Sequence, residues 1–279
     1  MKKILVPVDF SDQASHALNF AIEFNEKLQG EIILVHVIEV PAGYFSLTEI
    51  SAPQVANYYK GELIEEANNK LNEWSDRVST AGQKVSVFIK YGNAFTNISK
   101  LIAEEDASYI IMGSKGASGL KEIFIGSNAE RMIRFAKCPV FIIKGETHIK
   151  DMKNFVFTSD LSEEQDLIAY HAKEMQDLLG LNMHVVKVKT PYNWLEDVQV
   201  KKQLERFAER NYLKDYTLNT YTADFADEGA IKFAEENDAG LIVMGTHGRR
   251  GLAHFIGKSI AEDVVNESKI PILVYKIWD

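Results

Sequence analysis

Three glycines and a serine near the middle of the chain are spaced as in a loop that holds a phosphate. Gly113, Gly116, Gly126 and Ser127 follow the pattern G-x2-G-x9-G-S, directly after the apolar run 109–112, which predicts a buried strand. The segment that starts at Ser127 predicts a helix. A glycine loop between a strand and a helix N-terminus presents unpaired backbone N–H groups and the positive end of the helix dipole, which together favour an anion.

Asp9 is the second candidate for binding chemistry. It follows the strand-like run 4–8, and Ser11 behind it predicts the N-cap of a helix. In a parallel sheet of strand order 3-2-1-4-5, ligands bind where the winding direction reverses, between the first and fourth strands. Asp9 would then face the Gly113 loop and could accept hydrogen bonds from a ribose or an adenine. The alternative is a turn or helix-start carboxylate, a role that Ser11 could fill equally well.

The whole chain is a duplication, because a second series of segments repeats the first in the same order. The matched segments are 3–11 with 154–162, 33–37 with 183–188, 103–113 with 235–245, and 138–143 with 270–275. Each copy has the ordinary size of a domain. The predicted domains are therefore residues 1–146 and residues 151–279, and the second copy is shorter in its middle.

Strand and helix patterns alternate through each copy. In the first copy, an apolar stripe between Ser11 and Gly30 predicts a helix, and two further helices are predicted at 53–80 and 98–105. The predicted strands are 4–8, 32–38, 85–89, 109–112 and 140–143. This alternation favours an α/β fold with a parallel, doubly wound sheet and right-handed crossovers. Trp74 and Trp194 fall in corresponding predicted helices, where we expect them to pack.

These segments resemble the universal stress protein family in its tandem two-domain form, over essentially all 279 residues. The resemblance rests on the strand-1 run 4–11, the strand-2 run 34–37 and the glycine loop. It implies two doubly wound parallel five-stranded sheets, adenine nucleotide alpha hydrolase-like and Rossmann-like. Members of the family pair through their last strands, so we expect 139–143 and 271–275 to join the two copies as an intrachain pseudo-dimer.

The family has an ATP-binding branch that carries this loop, and the resemblance implies a cofactor-binding set in the first copy. Its members are Pro7, Asp9, Val37, Gly113, Gly116, Gly126, Ser127 and Asn128. By resemblance, Asp9 and the Val37 backbone would contact the adenosine end, while the loop would contact the phosphates and the ribose. The implied cofactor is ATP with Mg²⁺ bridging its phosphates, without metal-binding side chains.

The second copy departs from the loop pattern at its last glycine. Its corresponding residues are Asp160, Val188, Gly245, Gly248, Lys258 and Ser259. Lys258 stands where the pattern has glycine. This lysine could offer its ammonium to a phosphate, fill the phosphate pocket, or force a backbone shape unsuited to the loop. We expect a weakened or vacant second site.

Residues 40–56 form the largest insertion of the first copy relative to the second. A segment of this size is either a lid or interaction loop, with Tyr44 and Phe45 covering a nucleotide or docking on the other domain, or an ordinary packed connection. Both interpretations remain open at the level of sequence.

Composition and charge favour a cytoplasmic protein. The net charge of −9 argues against broad binding to nucleic acid or to anionic membranes, and no apolar run approaches membrane length. The single Cys138 excludes an intrachain disulfide and is expected to behave as a small buried hydrophobe. His247 and His254 lack a third ligand at suitable spacing for zinc. The expected partners are an adenine nucleotide and further copies of the chain, as a homo-oligomer.

The sequence therefore predicts an ATP-binding sensor or regulatory protein of the stress response, with its nucleotide mainly in the first copy. It offers no evident base or attacking nucleophile, so we expect at most slow ATP hydrolysis. One alternative is a slow ATPase or adenylate-forming enzyme. Another is a scaffold that binds a protein or a small apolar ligand and uses ATP structurally.

Overall fold

The computed structural model describes residues 1–39, 53–114, 125–247 and 260–277. The first copy contains β1 (Lys3–Pro7), α1 (Asp12–Leu28), β2 (Glu31–Ile38), α2 (Pro53–Thr80), β3 (Lys84–Tyr91), α3 (Ala94–Glu105), β4 (Tyr109–Gly113), α4 (Ser127–Phe135) and β5 (Val140–Ile143). The second copy contains β6 (Asn154–Thr158), α5 (Asp166–Leu179), β7 (Asn182–Lys189), α6 (Asp197–Arg210), β8 (Tyr216–Thr222), α7 (Ala226–Glu236), β9 (Leu241–His247), α8 (Ile260–Glu267) and β10 (Ile272–Ile277). Gly116, Gly248, Lys258, Ser259, His254 and the inserted residues 40–52 lie outside the described residues.

The strands form one ten-stranded sheet of order β3-β2-β1-β4-β5-β10-β9-β6-β7-β8. Within each copy the neighbours are parallel, so both copies have the expected order 3-2-1-4-5. The copies meet where β5 and β10 pair antiparallel, with Ile142 opposite Ile272 and Val140 opposite Val274. The α/β fold and the intrachain pseudo-dimer are confirmed. The two five-stranded sheets are, in addition, hydrogen-bonded into a single one.

Helices cover both faces of this sheet, as double winding requires. Helices α1, α2, α5 and α6 contribute to the apolar core on one face, and α3, α4, α7 and α8 contribute to the core on the other. Each core runs through both copies. On the first face, the rings of Phe24 and Phe141 lie 5.1 Å apart and stay completely buried. Burying an aromatic side chain of this size stabilises the fold by roughly 1.5–3 kcal/mol.

Helix α1 begins where its N-cap serine predicts and ends at Leu28, two residues before the expected glycine. The hydroxyl of Ser11 accepts the Ala14 N–H at 3.2 Å. Gln29 takes the left-handed conformation that closes the helix, with φ 55°. Gly30 is required for a different reason, since a Cβ there would lie 2.4 Å from the carbonyl oxygen of Lys2.

Two local expectations were wrong. Helix α3 starts at Ala94 and not at residue 98, because the side chain of Asn93 caps it by accepting the Thr96 N–H at 3.0 Å. Trp74 packs against the core from α2, as expected. Trp194, by contrast, lies before α6 and is 58% exposed, because the capping box at Glu196 starts that helix only after the tryptophan.

Over the described ranges, no helix combines the length and the apolarity needed to cross a bilayer.

Candidate functional site

A cleft of about 390 Å³ opens at the carboxyl ends of β1, β2 and β4, beside the N-termini of α3 and α4. Of the predicted first-copy set, the structure brings together Pro7, Asp9, Val37, Gly113, Gly126, Ser127 and Asn128, which all line this cleft. The remaining member, Gly116, lies outside the described residues. The cleft lies at the predicted switch point, where β1 has β2 on one side and β4 on the other.

Asp9 and Ser11 act together in one turn and are not rival N-cap residues. A carboxylate oxygen of Asp9 accepts the Ser11 N–H at 3.1 Å and the Ser11 hydroxyl at 2.6 Å. Between them, Phe10 has φ 62°, a left-handed conformation that is uncommon for a bulky residue. The tight turn leaves the Asp9 carboxylate partly exposed in the cleft, where it can accept a ligand hydrogen bond.

The phosphate-side wall of the cleft is built on the start of α4. Gly126 is the N-cap of this helix and, lacking a side chain, provides no side-chain cap for the first helical N–H groups. Its own N–H donates to the Ser114 carbonyl at 2.7 Å, which fixes the helix start beside β4. The positive end of the α4 dipole therefore faces the cleft, as an anion site requires.

The other wall contains residues that sequence reasoning missed. They include Val35, Glu39, Ala94, Ile98 and Met112, and Ser114 beside Gly126 was missed as well. Glu39 directly follows β2, and its carboxylate accepts the Ala94 N–H at 2.8 Å, so it caps α3 at the mouth of the cleft. The sequence signal that could have identified Glu39 is its position as a charged residue directly after an apolar strand. The apolar members form a surface suited to a flat base.

The second copy repeats the frame of the site. Asp160 accepts the Ser162 N–H at 2.9 Å, and Leu161 has φ 69°, so the turn after β6 matches the turn after β1. Gly245 of β9 lies close to α5, because a Cβ at this position would be 3.0 Å from the Ile168 side chain. Gly248, Lys258 and Ser259 lie outside the described residues, and their predicted roles remain predictions.

The second copy differs where the first copy has open space. Val37 is partly exposed and lines the cleft, whereas its counterpart Val188 is only 5% exposed. Helix α7 packs so closely on Val188 that a Cβ on Gly229 would lie 2.5 Å from the valine Cγ1. The side chain of Val188 is therefore packed against α7, whereas the side chain of Val37 borders the first-copy cleft.

A buried lysine adds to this difference. Lys187 of β7 stands where the first copy has His36, and its ammonium donates to the Asp160 carbonyl at 2.7 Å. Burial lowers the pKa of Lys187, and the nearby Asp160 charge acts in the opposite direction. In the first copy, His36 Nδ1 lies 2.8 Å from the Val8 carbonyl instead.

Among the residues that the structure describes, no group of three or more His, Cys, Asp or Glu residues is arranged to hold a metal ion. Burial raises the pKa of the Cys138 thiol to about 12, so it stays protonated and packs against the core.

The comparisons with known proteins identify the family. The model of the universal stress protein family matches residues 1–144 and again residues 152–276. The chain belongs to the universal stress protein family. A universal stress protein of Methanocaldococcus jannaschii is 36% identical over 153 residues, which are 51% of this chain and 94% of that protein.

Two solved structures match nearly the full length of the chain. The crystal structure of a universal stress protein from Archaeoglobus fulgidus has a TM-score of 0.80 at 25% identity, and the match covers 99% of this chain and 98% of that one. A structure from Pseudomonas aeruginosa has a TM-score of 0.71 at 18% identity and covers 99% of this chain and 93% of that one. At that identity the second match supports the fold alone. This universal stress protein therefore has the tandem form.

Proposed function

We propose that this universal stress protein is an ATP-binding sensor or regulatory protein of the stress response, with its nucleotide mainly in the first domain. The observation that carries the proposal is the cleft in which the Asp9 carboxylate and the bare N-terminus of α4 face the same space. A carboxylate that can accept from a ribose or a base, together with an anion site, matches the two ends of a nucleotide.

The shape of the cleft supports a nucleotide. A volume of about 390 Å³ is within the range of small-molecule sites. We propose that Val37, Ala94 and Ile98 contact the adenosine end, and that Gly126, Ser127, Asn128 and the undescribed Gly116 contact the phosphates. Mg²⁺ would be held by phosphate oxygens and water, because magnesium keeps several waters and needs few protein ligands at such sites.

The proposal extends to the organisation of the chain. We propose domain boundaries at 1–146 and 151–279, a second nucleotide site that is weak or vacant, and a cytoplasmic location. The homo-oligomer expected from the sequence stays a prediction. Because β5 and β10 pair with each other inside the chain, association of whole chains would have to use another surface, such as the outer strands β3 and β8.

The test identifies the nucleotide that the purified protein binds and measures whether that nucleotide is hydrolysed. We expect ATP in the supernatant after purified protein is denatured, or tight retention of added ATP in equilibrium dialysis, without sustained release of phosphate or AMP. Steady phosphate or AMP release would favour the slow ATPase or adenylate-forming enzyme. Absence of ATP from the denatured protein together with no retention of added ATP in dialysis would contradict the proposal.

A further inference from the structure

Helix α8 of the second domain contacts the phosphate-side wall of the first domain. The Ile125 N–H donates to the side-chain oxygen of Asn266 at 2.9 Å, although the two residues are 141 positions apart. Ile125 directly precedes Gly126, the N-cap of α4 and a lining residue of the cleft. A side chain of the second domain thus fixes the point at which the first domain's anion-binding helix begins.

Helices α4 and α8 are joined by an ion pair whose carboxylate is buried. The guanidinium of Arg134 on α4 donates through Nε and Nη2 to the two carboxylate oxygens of Glu262 on α8, which is 2% exposed. Bidentate pairing of this kind fixes orientation as well as distance. The ammonium of Lys144 also donates to the Val265 carbonyl at the end of α8. Helix α8 is therefore held in place against the first domain, and Asn266 with it.

The residues at the corresponding position of α4 and α8 differ in type and in the contact described for each. The repeat aligns Ser127 with Ser259, and this alignment places Asn266 at the position of Arg134. Arg134 reaches a side chain, Glu262, whereas Asn266 reaches the backbone beside the other domain's glycine loop. The divergence of the two helices has therefore produced a support that acts on the first domain's site.

We propose that Asn266 is a positioning residue for the phosphate end of the first-domain site, so that tight binding of a nucleoside triphosphate there depends on the second domain. The inference rests on the proposed function. The Asn266 side-chain oxygen accepts the Ile125 N–H, and the next N–H, that of Gly126, donates to the Ser114 carbonyl at 2.7 Å. Together these two hydrogen bonds keep the first N–H groups of α4 aligned towards the cleft. The adenosine end, at Val37 and Ala94, makes no use of this contact.

The test compares ATP and adenosine affinities of full-length variants. Asn266→Leu keeps the side-chain volume but removes the acceptor, and we expect ATP affinity to fall by about tenfold, as for loss of one well-placed hydrogen bond. Adenosine affinity should stay unchanged. Asn266→Asp keeps an acceptor oxygen and should bind ATP more tightly than Asn266→Leu. The matched control is Glu267→Ala, an exposed neighbour on the same helix, which should behave as wild type.

The outcomes separate the positioning role from the proposed function. If wild-type protein binds no ATP, both fall. If wild type binds ATP and Asn266→Leu binds it equally well, only the positioning role is overturned. An equal loss of ATP and adenosine affinity would also overturn it, because a general structural defect affects both ligands. Should Asn266→Leu fail to fold, Asn266→Ala carries the same expectations.

Discussion

The described parts of the two domains share the same local frame, yet the corresponding valines of their second strands differ in exposure. In both, an aspartate follows the first strand, a left-handed residue comes next, and a glycine lies at or near the end of the fourth strand. In the first domain Val37 lines an open cleft, whereas α7 of the second domain packs on Val188. The aspartate turn and the glycine have therefore been retained in a domain where the valine of the second strand is buried under a helix.

This difference separates residues that the fold requires from residues that a ligand requires. A Cβ on Gly113 would lie 2.9 Å from backbone atoms of Gln13, so this glycine is needed for α1 to pack on β4 whether or not a nucleotide binds. Gly245 has the corresponding position against α5. The proposed nucleotide site is therefore better tested at the start of α4 and on the open wall of the cleft.

The largest expected effect comes from the last glycine of the loop. Gly126→Val should abolish ATP binding in a folded protein, because a branched side chain would occupy the space where phosphate meets the start of α4. The opposite change, Lys258→Gly, should leave second-domain binding weak, since the packing of Gly229 on Val188 is independent of Lys258.

Titration of both variants with ATP, with folding checked by circular dichroism, decides this comparison. Normal ATP affinity of folded Gly126→Val would remove the start of α4 from the site. A strong gain on Lys258→Gly would make that lysine the sole obstacle in the second domain. A loss would instead identify it as a phosphate ligand.

The paired aspartates provide the next comparison. Asp9→Ala should weaken ATP binding about ten- to hundredfold, as expected for a charge-assisted hydrogen bond worth roughly 1.5–3 kcal/mol. Asp160→Ala is the matched control, because it removes the same kind of turn contact to the following serine N–H. It should leave ATP affinity unchanged. Equal ATP affinities for the two variants would show that Asp9 serves only the turn.

The paired glycines test the packing argument in the absence of nucleotide. Gly113→Ala should lower the free energy of unfolding by about 1–3 kcal/mol, because the new Cβ meets backbone atoms that cannot move aside. Gly245→Ala should cost less, since its nearest neighbours are the side chains of Ile168 and Gln165. Thermal denaturation measures both. A larger loss for Gly245→Ala would contradict the assignment.

The smallest expected effect concerns His148, which lies in the segment between the domains and forms a hydrogen bond with the first domain. His148 Nδ1 lies 2.5 Å from a Glu23 carboxylate oxygen on α1, and this hydrogen bond raises the pKa of His148. A raised folded-state pKa contributes stability that is complete below the unfolded value of 6.5 and is lost as pH rises through the folded value.

His148→Asn should therefore lower the melting temperature relative to wild type at pH 6, and the difference should shrink as the pH rises well above 6.5. Melting curves of both proteins across this range measure it. A difference that does not change with pH would show that the imidazolium contributes nothing.

Most of the fold could be predicted from the sequence, because alternating apolar runs and a full-length repeat leave few topologies. The apolar run at β5 even marked the strand through which the domains join. Boundaries set by side-chain caps could not be predicted from apolar periodicity, as Asn93 and Trp194 show.

The first-domain site was predicted from a local motif, and its described members lie together in one cleft. The packing of α7 on Val188 and the hydrogen bond between Asn266 and the Ile125 N–H could not be predicted in this way. Both depend on distances between elements far apart in the chain, which no local spacing encodes. The resemblance to the family likewise carried no information on them.

The number of ATP molecules bound per chain tests the central claim most directly. Calorimetric titration of full-length wild-type protein should give one tight site per chain, and Gly126→Val should remove it. Two equally tight sites, or a single tight site that survives Gly126→Val, would contradict the account, because the second domain would then bind the nucleotide.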